Sequence, residues 1–236
     1  MSRALATVFV STLLAACGAS GTRPHDMSVV HHEEAAGAED TVAAAHAAEY
    51  DASASGPLRC GATGASVALG SPCWTSDVNP TEAHRAEAAR HRAAAAAHRA
   101  AAEALRAAEA AECAGLSEAE RDQSPFSHRE DIASVAALTE EVVMGRTRTT
   151  RVVGARIVLR AVPGLTAEWI QRVLECHLAR NASLGHDVPE MAYCPLVPAG
   201  VTVAVRSAGD GFAIDIRAAR DEAITEVVRR ARAVAP

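Results

Sequence analysis

Between Asn79 and Gly115 the chain repeats itself every seven residues: His84-Arg85-Ala86, His91-Arg92-Ala93, His98-Arg99-Ala100 and Leu105-Arg106-Ala107. A seven-residue period keeps each residue type on one face of an α-helix, so the segment is expected to be one long helix with a histidine column, an arginine column and faces of alanine. Asn79 as cap, Pro80 at the first helical position and Glu82 three residues after Asn79 mark its start, and Gly115 its end. An alanine face lets another helix approach closely. The nearest candidate runs from a cap at Asp26 to about Tyr50, with Val29, Val30 and Val42 as a thin apolar stripe. We therefore expect residues 26–115 to form an antiparallel, coiled-coil-like helical hairpin, with the Gly- and Ser-rich stretch from Asp51 to Val78 as its loop.

Composition limits where a dense core can lie. Of the 236 residues 56 are alanine and 3 % are aromatic, so the 49 % hydrophobic share overstates the volume available for packing. Branched aliphatic residues and Trp169 gather after residue 132. Arg151 to Val162 reads as a β-branched strand bounded by Pro163-Gly164. Thr166 caps a helix with Ile170, Val173, Leu174, His177 and Leu178 on one side, and Val201–Val205 and Phe212–Ile216 form a hairpin turned at Gly209-Asp210-Gly211. Asp221 to Val234 closes the chain as an amphipathic helix. The fold class is thus α+β, with a β-α-β-β-α sandwich over 151–236 and both helices on one sheet face. Residues 116–150 are expected to connect the hairpin to it, with two capping boxes at Ser117/Glu120 and Ser127/Glu130 and a possible extra strand over 132–143.

Six cysteines call for pairing. Cys60 and Cys73 bracket one loop-like stretch and Cys176 and Cys194 another, so those two disulfides are expected, with Cys113 left unpaired; sequence alone does not fix the connectivity.

No metal ligand set, cofactor or catalytic centre is expected. Histidines seven apart lie about 10.5 Å apart along a helix, too far for one ion, so the column reads as solvent-facing or boundary. His31-His32-Glu33-Glu34 likewise reads as a solvated polar face. Cys176, His177, His186, Met191 and Cys194 offer thiolate, imidazole and thioether donors suited to copper or zinc, the alternative to a Cys176–Cys194 bridge. His128 and Asp131 are close in sequence, but no nucleophile motif accompanies them. A formal charge of −6 and a pI near 5.9 argue against a nucleic-acid partner.

Leu14-Ala15-Ala16-Cys17 closes a short apolar segment behind Met1-Ser2-Arg3 and resembles the lipobox of bacterial lipoproteins. That resemblance implies a signal peptide over 1–16, acylation of Cys17, a tether over 17–25 and a membrane address. Gly18 in place of aspartate implies the outer membrane. Ser124–Asp131, Leu165–Trp169 and Cys176–Asn181 are similar to segments of uncharacterised predicted lipoproteins of GC-rich Gram-negative bacteria, which fits a chain whose 23 basic residues are all arginine. The resemblance brings no activity with it; the function expected is a non-enzymatic structural or interaction module of the cell envelope. Its partners would be the membrane, through the lipid, and an envelope protein, through the hairpin. The alternative is an envelope metal-binding protein using the Cys176 to Cys194 region.

Overall fold

The computed structural model describes residues 21–57, 77–122 and 124–236. Helix α1 spans Val29–Glu49 and α2 spans Glu82–Glu112. Ser28, not Asp26, caps α1 by accepting the His31 amide at 3.1 Å. Asp26 instead ends a 3-10 turn and accepts from the Arg23 amide. Thr81 holds the cap position of α2, and Asn79 acts just before it, accepting the Thr81 amide at 2.8 Å. The Asn79 side-chain amide and the Thr81 hydroxyl both donate to the carbonyl of Asp51. These bonds tie the end of α1 to the start of α2. The two-residue strands β1 (Gly56–Pro57) and β2 (Asp77–Val78) extend the closure as an antiparallel pair. Cys60 and Cys73 lie outside the described residues, as does Cys17.

The two helices pack as an antiparallel pair, and alanine is what lets them. Ala36 and Ala43 on α1 and Ala88, Ala95 and Ala102 on α2 are buried, at multiples of seven residues within each helix. Alanine also has the highest helix propensity, so the same residues favour the helices before they pair. Ion pairs Glu33–Arg106 and Asp40–Arg99, again seven apart on each helix, flank the seam.

After α2 the chain turns at Gly115, whose φ of 78° favours glycine. The capping box at Ser117 and Glu120 forms in both directions and starts the short helix α3, Glu118–Asp122. At the second expected box His128, not Ser127, holds the cap position of the 3-10 turn Arg129–Asp131, and the Ser127 hydroxyl donates to the carbonyl of Ser124.

Strands β3 (Ile132–Met144) and β4 (Thr147–Leu159), helix α4 (Ala167–Ser183), strands β5 (Val201–Ala208) and β6 (Gly211–Ala218) and helix α5 (Asp221–Ala233) complete an α+β domain. The sheet is antiparallel in the order β3-β4-β6-β5. Residues 116–150 are therefore no mere connector, since the sheet begins at Ile132. Along β3 only Ile132 and Leu138 are buried, which is why its apolar alternation is thin in sequence.

Ile157 and Ile214 are register partners and fully buried. They share one core with Ile170 and Leu174 of α4 and Val227 and Ala231 of α5, so both helices cover one sheet face, as expected. Arg156 and Asp215 pair across the other face with two hydrogen bonds of 2.5 and 2.7 Å, and the guanidinium holds the Asp215 carboxyl below its usual range. Gly154, beside a register shift in β4, has room for no side chain: a Cβ there would lie 1.9 Å from the carbonyl oxygen of Ile216.

Of the two expected disulfides, Cys176–Cys194 is corrected, and with it the expectation that Cys113 is unpaired. Cys176 bonds Cys113, and Cys194 is a free, buried thiol. Loop closure suggested Cys176–Cys194, but α4 packs against the end of α2, and this docking decides the partner. Cys113, Leu116, Val173 and Cys176 form a small buried cluster beside Trp169. Arg172 donates to the carbonyl of Ala114 at 2.6 Å and Ser183 to that of Leu105 at 3.4 Å, so hairpin and domain are joined along a shared face. Among the described residues no helix is long and apolar enough to cross a membrane.

Candidate functional site

The antiparallel pairing brings the histidine column of α2 against a second column that the sequence carries less openly. On α1, His32, Glu39 and His46 also recur every seven residues and meet His98, His91 and His84 in turn. His32 Nδ1 lies 3.0 Å from His98 Nδ1, His91 Nδ1 lies 2.5 Å from a Glu39 carboxylate oxygen, and His46 Nδ1 lies 3.2 Å from His84 Nδ1. In the α2 column His84 and His91 lie at the boundary, one of the two positions expected, and only His98 is buried; on α1 His32 is buried and His46 half-buried. His31, Glu33 and Glu34 remain exposed, so only His32 departs from the polar face expected there.

The two ends of this seam differ. At the domain end His32 and His98 share one hydrogen bond within alanine surroundings, and His32 Nε2 lies 3.4 Å from the carbonyl of Pro24. At the loop end the imidazoles gather carboxylates. Glu49 Oε2 is 2.8 Å from His84 Nδ1 and 3.8 Å from His46 Nδ1. The His46 ring stacks on that of His91 with centroids 5.7 Å apart, and Glu87 lies 3.9 Å from His91 Nε2. Three imidazoles and three carboxylates thus meet where the Asp51, Asn79 and Thr81 hydrogen bonds hold the helix ends together. The α2 histidines remain too far apart along the helix to share an ion with one another; what the hairpin adds is an imidazole from α1, His46, beside both His84 and His91.

The alternative metal centre of the Cys176 to Cys194 region is not assembled. The Cys176 sulfur is spent in the bridge to Cys113, and His177 is buried on α4. His186 is half-buried, with Nδ1 2.8 Å from the carbonyl of Val197, and burial lowers its pKa. The Cys194 thiol accepts a hydrogen bond from Ser124 at 3.5 Å, and burial pushes its pKa up. Among the described residues no thiolate is therefore poised beside an imidazole.

A cleft of about 360 Å³ between the loop after α3 and helix α4 is lined by Pro125, Leu159, Leu165, Trp169 and Val173, with His128 and Asp131 at its wall. Its hydroxyl, Ser124, faces Cys194, and His128 Nδ1 lies 3.3 Å from Glu130. The serine and the histidine are thus engaged elsewhere, which is not the hydrogen-bonded chain that nucleophilic catalysis requires. Glu120 on the rim accepts from Ser117 and from the Trp169 indole, and the Ser117 bonds above all hold its carboxyl below the usual range.

Comparison with protein-family models, with curated proteins and with solved structures found no match for this chain. Its functional reading therefore rests on its own residues.

Proposed function

We propose that this chain is a lipid-anchored protein of the bacterial cell envelope, held to the membrane through Cys17, and that it acts as a non-enzymatic structural or interaction module. The observation that supports this reading best is the Cys113–Cys176 bridge. A buried structural disulfide that joins two parts of a chain belongs to an oxidising compartment, the one a lipobox-type signal would deliver it to. The hairpin is the contact surface in this reading. Its outward faces carry the exposed charges of α1 and α2, with the Glu33–Arg106 and Asp40–Arg99 pairs along one edge, while its inward face is already occupied.

Fractionation of the native host tests the address. The wild-type chain is expected in the membrane fraction with a mature N-terminus at an acylated Cys17, and Cys17→Ala is expected to abolish acylation. A wild-type chain recovered soluble, unacylated and beginning at Met1 contradicts the reading. The interaction role is tested with photo-crosslinking residues on the exposed face of α2, for instance at Arg92. One reproducible crosslinked envelope partner is expected there and not from a matching position on α5; equal labelling from both contradicts a hairpin-borne contact.

A further inference from the structure

We propose that the loop end of the hairpin is a binding site for one divalent transition ion of the zinc type, held by His46 and Glu49 of α1 and His84 of α2. The three donor atoms already form a triangle with edges of 3.2 Å between the two Nδ1 atoms and of 2.8 and 3.8 Å from these to Glu49 Oε2. Zinc bound tetrahedrally at about 2.0–2.1 Å from nitrogen or oxygen separates its ligand atoms by about 3.3 Å, a value these edges straddle. The chemistry of the set points the same way. In the tautomer with its proton on Nε2, each imidazole can turn an Nδ1 lone pair to the point that the Glu49 carboxylate also faces, and a cation there satisfies all three donors together. Two nitrogens and one oxygen suit a borderline ion better than calcium or magnesium, which take oxygen sets.

The site is held in shape and open to solvent. Asn79, Thr81 and Asp51 pin the helix ends a turn away, and the side chains of His84 and Glu49 are 37 % and 59 % exposed, which leaves a path for the ion and room for a water as fourth ligand. Glu87 and His91 form a second triad with His46. Because both triads draw on His46, the hairpin takes one ion and not two. The assignment favours the first triad, whose edges lie around that tetrahedral spacing; in the second, Glu87 stands 3.9 Å from His91 Nε2, and His91 is already engaged through Nδ1 by Glu39. The His32–His98 pair at the domain end has no third donor within reach among the described residues and serves as an internal control.

The test is a zinc titration of the full-length oxidised chain in detergent, purified without a histidine tag and stripped with chelator, read against a chromophoric competitor. Cobalt substitution reports the geometry. One equivalent is expected, with a tetrahedral cobalt spectrum. His46→Ala and His84→Ala should each weaken binding more than about 100-fold, beyond the loss caused by removing a group that only orients a ligand. His32→Ala should leave it unchanged, and far-ultraviolet circular dichroism should show that every variant keeps its helices. The proposal is overturned if the wild type binds no stoichiometric zinc, if His46→Ala or His84→Ala leaves binding intact, or if His91→Ala abolishes it while His84→Ala does not. It stands apart from the lipid anchor, since Cys17 makes no part of the site.

Discussion

The helical hairpin and the α+β domain solve the same problem, keeping polypeptide folded, with different materials. The domain buries isoleucine, leucine, valine and Phe126 in one core, each worth roughly 1.5–3 kcal/mol when taken from water. The hairpin buries chiefly alanine, whose single methyl contributes far less, and fills its seam with imidazoles. An alanine seam therefore sets distance and register more than stability. What the hairpin lacks in apolar burial is supplied by helix propensity, by flanking ion pairs and by its bridge to α4.

The strongest way to break this comparison is to cut that bridge. Replacing Cys113 and Cys176 with serine removes a cross-link between residues 63 apart, which in the chain-entropy model corresponds to about 4 kcal/mol. Chemical denaturation is expected to show that loss, with the helical signal of the hairpin melting before the Trp169 fluorescence of the domain. Coincident melting of the two probes in the double variant would show that the hairpin does not depend on the bridge.

Ile214→Ala probes the other partner. It leaves a cavity in the sheet core and should cost about 3 kcal/mol, lowering the midpoint for both probes, because the hairpin is docked on the damaged domain.

Ala95→Leu asks whether alanine is required as a spacer. Ala95 is fully buried between the helices, so three added carbons should force them apart at about 2 kcal/mol, read as loss of the early, hairpin part of the melt. The same substitution at exposed Ala96 should change little. A stabilised Ala95→Leu chain would mean that the seam is loosely packed.

The smallest expected effect concerns pH. Glu226, hydrogen-bonded by Arg229 and Arg230, has its pKa lowered to about 2. Its contribution is therefore present above the ordinary carboxylate range and is lost as pH falls through about 2. Since the group is a third exposed, Glu226→Gln should cost below about 1 kcal/mol at neutral pH and nothing in strong acid. Equal destabilisation by the substitution at both pH values would exclude the ion pairs as its cause.

Local features were legible in the sequence where they depend on neighbours along the chain. The α2 helix to within two residues at its start, the Thr166 cap, the Gly209-Asp210 turn and the heptads follow from spacing; only the cap of α2 moved, from Asn79 to Thr81. Features that depend on docking were not. Cys113 finds Cys176 because α2 and α4 meet, which no loop length reveals. The loop-end cluster escaped because the α1 column mixes residue types, His32, Glu39 and His46, and becomes recognisable only when laid antiparallel against His98, His91 and His84. Taking both helices together at the seven-residue period would have found it. β3 was faint because a strand with one solvated face and many alanines has little apolar contrast.

Peptide mapping under non-reducing conditions tests most directly whether hairpin and domain are one stapled body. Trypsin separates the three relevant cysteines into Ala107–Arg121, Val173–Arg180 and Asn181–Arg206. A disulfide-linked pair of the first two fragments, with the third recovered as a free thiol after denaturation, is the predicted result. A link between the second and third, leaving Cys113 free, would contradict the account.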